Sequence, residues 1–195
     1  MNLNYDFFRI DKTLKPKKGR LLISEPFLQD AYFKRSVILL TEHNKEGSVG
    51  FVLNKPAKIT VSDVVEDFPE VNAELSIGGP VATDTIHFCH SLGELVPNSV
   101  RINNNIYWGG DFNTIKSLIK TGLIDNSQIR FFIGYSGWGE GQLERELSEN
   151  SWVVADIRSW NILTHYDKSA WKDALNNLGE KYKMWANYPE NPVLN

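Results

Sequence analysis

Eight of the fourteen glycines fall in three clusters: Gly78-Gly79, Gly109-Gly110, and Gly134, Gly137, Gly139 and Gly141. Glycine is costly inside helices and strands, but it permits positive φ and lets another backbone approach closely. The clusters therefore mark junctions between elements. The third reads as a strand that feeds a glycine loop, which in turn opens a helix.

The apolar residues around these junctions come in short β-type runs. Leu21, Leu22 and Ile23 form the centre of a strand over Gly19–Ser24. Arg35–Thr41 and Ser48–Leu53 flank residues 43–47, whose turn composition predicts a β-hairpin. Asn54-Lys55-Pro56 ends the second strand, because proline cannot donate to a ladder. Thr60 is placed to cap a short helix carrying Val61, Val64 and Val65. Leu75–Ile77 and Thr85–Cys89 read as strands around Gly78-Gly79-Pro80. Val100–Trp108 reads as a strand or hairpin broken at Asn103-Asn104-Asn105.

The second half is richer in helix. Asp111 precedes Phe112, Ile115, Leu118 and Ile119, one face of a helix that Gly122 ends. A strand over Gln128–Tyr135, a helix over Glu140–Ser148 and a strand over Trp152–Asp156 follow. One C-terminal helix from Asp167 carries a stripe of Trp171, Leu175, Leu178, Tyr182 and Trp185. Tyr5–Ile10 has the pattern of a short amphipathic helix. A chain of 195 residues with this order of elements is expected to form one α+β domain.

Charge narrows the partners. Residues 1–35 hold eight bases and four acids, whereas the remaining residues hold 13 bases and 20 acids. A basic leader over residues 1–18 thus precedes an acidic body, and no basic helix-turn-helix is visible. Nucleic acid is not an expected partner of the body. No apolar run approaches the roughly 20 residues of a membrane helix, so no membrane partner is expected. The lone Cys89 excludes an internal disulfide and fits a cytoplasmic protein. No cofactor and no metal are expected: His87, Cys89 and His90 sit on one short strand, where alternation turns His90 away from the other two.

Several residues are candidates for a site. The segment Gly134–Glu146 is neither a P-loop nor a dinucleotide fingerprint, and Ser136 is not in a hydrolase elbow. A helix opening after glycines can still hold an anion, although Glu140, Glu144 and Glu146 oppose one. His90 is a candidate acid or base, with Asp111 or Glu144 as its carboxylate. Asp111 reads first as an N-cap.

These motifs together resemble the YqgE/AlgH family of bacterial proteins. The matching segments are Gly19–Pro26, Asp30 with Phe33, Ser36 and Val37, Glu42-His43, Gly50–Pro56, Gly78–Val81, His90, Tyr107–Asp111, Gly134–Glu144, Trp152 and Trp171. The resemblance covers residues 19–179. It leaves the leader and a C-terminal helix end and tail over 180–195 outside. It implies an α+β domain with a mixed, bifurcated, barrel-like sheet surrounded by helices. It carries no agreed catalytic residues. Some members are labelled transcriptional regulators.

Three readings follow. The first is a non-enzymatic regulatory or binding domain for a small molecule, an anion or a protein. Its surface would comprise Asn54, Gly78, Gly79, Pro80, His90, Trp108, Gly109, Gly110, Gly134, Gly137, Trp138, Gly139, Gly141 and Gln142. The second is a hydrolase-type enzyme using His90, a carboxylate and the glycine loop. The third is a regulator that binds DNA directly. Oligomeric state is not legible.

Overall fold

The computed structural model describes residues 14–157, 160–164 and 167–189. Most of the basic leader, the expected helix over Tyr5–Ile10 and the last six residues lie outside these.

β1 (Arg20–Ser24) is flanked on both sides, pairing antiparallel with β10 (Trp152–Asp156) and with β2 (Val37–Asn44). Both its faces are covered: Leu21 and Ile23 point into one core cluster and Leu22 into another. That is why it reads as a continuous apolar run rather than an alternation. Each such leucine, withdrawn fully from water, contributes roughly 1.5–3 kcal/mol. β2 turns back into β3 (Gly47–Val52), forming the expected hairpin. β4 (Pro56–Thr60) follows, then α1 (Val61–Val64), capped by Thr60, and β5 (Glu74–Ile77). β4 was not expected; it pairs with β5 alone and uses Pro56 as its first residue, where a missing donor costs nothing.

β6 (Val81–His90) leads through a 3-10 turn at Gly93–Leu95 to the small hairpin β7 (Val100–Arg101) and β8 (Tyr107–Trp108). α2 (Phe112–Lys120) then precedes β9 (Ile129–Gly139). The strand order is β10-β1-β2-β3-β9-β6-β8-β7, with β5 joined to β9 and β4 to β5. β9 is the branch point. Its first half pairs parallel with β5 and antiparallel with β6, and its second half pairs with β3. The sheet is thus mixed and bifurcated.

The branch explains a difference from expectation. The strand expected over Gln128–Tyr135 runs on to Gly139, so residues 136–139 are not a loop but the end of β9, and only Glu140-Gly141 connects it to α3 (Gln142–Ser148). Glycine is required there by close approach. A Cβ on Gly78 would lie 2.3 Å from the Gly134 carbonyl oxygen, and Gly134 itself has φ +64°. Two of the three glycine clusters therefore meet backbone to backbone.

The C-terminal stripe is carried by two helices, α4 (Ala170–Asn176) and α5 (Glu180–Ala186), broken at Gly179 with φ +113°. Trp171, Leu175, Tyr182 and Trp185 all enter the core, so burial continues to Ala186. α4 and α5 cover one cluster, α1 and α2 a second around Phe131, and α3 a third around Trp152. Among the described residues no helix is long and apolar enough to cross a membrane.

Candidate functional site: a basic cleft

A concavity of about 880 Å³ lies where three separate segments meet. The bend before β2 contributes Lys34 and Arg35. The β3–β4 connection contributes Asn54 and Lys55, and β4 contributes Lys58. The start of α4 contributes Lys168 and Lys172, with Asp167 beside them. Six cationic side chains thus face one lining carboxylate, in a chain whose formal net charge is −3.

Each segment is held by its own chemistry. Asn54 is 2% exposed. Its Oδ1 accepts from the Val37 N–H at 2.9 Å, and its Nδ2 donates to the Arg35 carbonyl at 2.8 Å. The carboxamide clamps the bend to the end of β3. Arg35 adopts φ +51°, lays its guanidinium 4.8 Å from the Trp171 ring and donates to the Tyr188 carbonyl at 2.5 Å. Lys58 also sits at positive φ, +59°. Non-glycine residues in this region cost of order 1–3 kcal/mol each, and such strain tends to cluster at functional sites. Lys55 donates to the carbonyls of Ala31 (3.2 Å) and Tyr32. Burial pushes its ammonium below the usual lysine value; Asp30 opposes this and the neighbouring Lys168 adds to it. Among the described residues no carboxylate pairs with Lys58, Lys168 or Lys172.

Arg130, on β9, lies beneath and is 1% exposed. It donates to the carbonyls of Leu53, Ile162 (3.1 Å) and Thr164 (2.6 Å) and to Ser76 Oγ (2.9 Å). It therefore ties the β3 end to the chain that leads into α4. These are the two segments that carry Lys55, Lys58, Lys168 and Lys172.

The other sequence candidates are distributed elsewhere. Asn54 is the only one of them that lines the cleft. Trp108, Gly109 and Gly110 line a separate cavity of about 350 Å³ with His87, Phe88 and Phe112. Gly78, Gly79 and Gly134 are packed into the sheet branch, with Pro80 exposed beside them and Gly137 further along β9. Trp138, Gly139, Gly141 and Gln142 belong to a different network. The Glu146 carboxylate accepts from the Trp138 indole (2.9 Å), the Trp152 indole (2.8 Å) and the Gln142 amide (2.9 Å), while Gln142 Oε1 accepts from the Gly139 N–H (3.0 Å). This network joins α3 to the ends of β9 and β10.

The expected acid–base arrangement is not formed. His90 is fully buried, Nδ1 accepts from the Leu92 N–H at 3.2 Å and Nε2 pairs with the Gly109 carbonyl at 3.1 Å. Nε2 must carry the proton, so the ring is neutral and both nitrogens are occupied by backbone. Asp111 is instead the N-cap of α2, accepting from the N–H groups of Asn113 (2.7 Å) and Thr114 (3.2 Å). Glu144 lies 3.7 Å from His43, whose other nitrogen meets Ser48 Oγ at 2.8 Å. The hydrolase reading through His90 is therefore corrected.

The buried imidazole gives a test by pH. Burial holds the His90 pKa below its ordinary 6.5, against a smaller upward effect of the Gly109 hydrogen bond. Below pH 6.5 the unfolded chain takes up a proton that the folded chain refuses, so stability falls as pH drops through that value. Urea unfolding at pH 8, 6 and 5 should show this fall, and His90→Gln should flatten it. His87, which burial also lowers, contributes to the slope left over. An unchanged slope would mean that His90 does not titrate with unfolding.

A mixed, branched sheet with helices over its faces and a basic cleft at one margin defines an α+β domain with a ligand-sized concavity. Residues 21–183 match the family model described as AlgH-like, and the chain belongs to that family. It is 46% identical over 182 residues to a UPF0301 protein of Parabacteroides distasonis, covering 92% of each. It is 42% identical over 197 residues to one of Bacteroides fragilis, covering 100% of each. The fold is similar to the crystal structure of a Corynebacterium diphtheriae protein (TM-score 0.74, 24% identity, 90% of this chain and 94% of that one). It is also similar to the solution structure of the AlgH protein of Pseudomonas aeruginosa (TM-score 0.71, 24% identity, 90% and 98%).

Proposed function

We propose that this protein is a non-catalytic binding domain for an anionic small molecule, and that the basic cleft is its site. One observation carries the reading: six cationic groups and one carboxylate line a single 880 Å³ concavity on a chain of net negative charge. Like charges held together are mutually repulsive, and an anion relieves that repulsion. The volume lies within the range of roughly 300–1,000 Å³ that takes a small ligand. It does not suit a DNA duplex, which needs an extended basic face. Binding without a poised acid–base pair fits a regulatory module. The chain has a single cysteine, Cys89, and it is buried as a free thiol; this cysteine usage fits a protein of a reducing compartment such as the cytoplasm.

Isothermal titration with inorganic pyrophosphate at low salt tests this. Binding is expected, weakening steeply as salt screens the lysines. Lys168→Glu with Lys172→Glu should reduce affinity at least about tenfold, or about 1.4 kcal/mol. Both side chains are exposed, so the fold should persist. Absence of heat in the wild type, or equal binding by the double variant, would overturn the reading.

A further inference from the structure

We infer that the separate cavity of about 350 Å³ beside β6 and β8 is a site for a small neutral aromatic compound carrying one N–H or O–H donor. It is independent of the basic cleft, and its chemistry is the opposite. No lining side chain bears a fixed charge. Val65, Ile86, Trp108 and Phe112 pack against core clusters, yet each is only half-buried, and all four line this one recess. Apolar surface left half-covered gains when a ligand withdraws it from water. His87, Trp108 and Phe112 present rings, which pack well against another ring.

One polar group gives the recess its specificity. Burial holds the His87 pKa below its ordinary 6.5, so the imidazole is neutral at neutral pH and keeps one ring proton. Its tautomer is fixed by Thr85. The single hydroxyl proton of Thr85 goes to the Ala82 carbonyl at 2.7 Å. Toward His87 Nε2, 3.0 Å away, that oxygen can only accept. Nε2 therefore carries the proton, and Nδ1 holds a lone pair. Among the described residues nothing donates to Nδ1, and it is not sealed from water. A half-buried acceptor without a partner calls for a donor on the ligand.

Part of the wall is bare backbone. The Gly109 N–H donates to the Phe88 carbonyl at 2.9 Å, and the Gly109 carbonyl pairs with His90 Nε2 at 3.1 Å. A Cβ added at Gly109 would meet nothing within 4 Å. The two bonds hold this wall in place while the space beside it stays open.

Titration of the full chain with indole and with benzothiophene, which has the same shape without the N–H, tests the inference by ligand-observed NMR. Indole should bind, and benzothiophene should bind about tenfold or more weakly. His87→Phe keeps a ring at this place and removes the acceptor. It should bring indole to within about threefold of benzothiophene, with an unchanged near-ultraviolet circular dichroism spectrum as the sign of an intact fold. Val65→Phe, at a half-buried lining position, should fill the cavity and abolish indole binding. No indole binding by the wild type, or equal binding of the two probes, would overturn the inference. So would a folded His87→Phe that keeps the preference, or a Val65→Phe that binds indole as the wild type does. Both probes are uncharged, so failure here leaves the anion site standing.

Discussion

Replacing Arg130 with leucine is expected to cost the fold about 4 kcal/mol. Leucine is apolar enough for the site, so the cost comes from the partners it abandons. The carbonyls of Leu53 and Ile162 and the hydroxyl of Ser76 would each lose a charged donor in a place without access to water, and the Thr164 carbonyl would lose one in a partly buried place. A buried group left unsatisfied costs about 1–3 kcal/mol, and relaxation of the segment around Ile162 offsets part of the sum. For a chain of this length that loss lowers the melting temperature by roughly 10 °C. Urea unfolding should show a lower midpoint with an unchanged slope. Arg130→Lys should recover only part of the loss, because one ammonium cannot reach carbonyls on both β3 and the segment before α4. The variant also bears on function. Under conditions where Arg130→Leu remains folded, pyrophosphate should bind it more weakly, since the two lysine-bearing segments are no longer tied. A loss below about 1 kcal/mol would show that this network does not hold them.

Replacing Glu146 with alanine is expected to cost about 3 kcal/mol. Its carboxylate accepts from the indoles of Trp138 and Trp152, which are 5% and 2% exposed, and from Gln142. Removal strands two buried N–H donors and frees α3 from the ends of two strands. Tryptophan emission should shift to the red as water reaches Trp138, and the urea midpoint should fall. Glu146→Gln keeps one acceptor oxygen but turns an NH2 toward a donor, so its loss should be smaller, about 1–2 kcal/mol. Because the cleft is lined by other segments, pyrophosphate affinity should be unchanged in Glu146→Gln. A drop there as large as in Lys168→Glu with Lys172→Glu would contradict the placement of the site.

Much of the fold is legible along the chain because it is local. Leu21-Leu22-Ile23 announces a doubly covered strand, residues 43–47 announce a hairpin turn, and Asp111 with Phe112, Ile115, Leu118 and Ile119 announces a capped helix. The motif order that resembles the YqgE/AlgH family leads to the family the chain belongs to. Two local readings went astray for one reason. Residues 136–139, with glycines at 137 and 139, read as a loop because glycine weakens a strand on its own. Neighbouring strands β3, β5 and β6 supply the pairing that overrides this. The C-terminal stripe read as one helix, because period alone does not register the break at Gly179.

The candidate site was far less legible. Asn54 was visible within Asn54-Lys55-Pro56, but Lys34 lay outside the basic leader over residues 1–18 and Arg35 read only as the start of a strand. Lys168 and Lys172 carried no reading of their own. Nothing local distinguishes a lysine that faces water from one that faces three others. Arg130 gave no signal either, since its partners lie far away along the chain, and Glu146 gave none because its indole partners, though only six and eight residues away, sit on two different strands that meet α3 only in the fold.

By itself, then, the sequence determined the order of elements, the apolar faces they bury and the family to which they belong. These follow from spacing and propensity, which act over a few residues. Only the tertiary structure decided that bases from residues 34–58 and 168–172 share one cleft and that His90 spends both nitrogens on backbone. Electrostatic repulsion and hydrogen-bond satisfaction depend on distance in space, and that distance exists only once the branched sheet has brought the segments together.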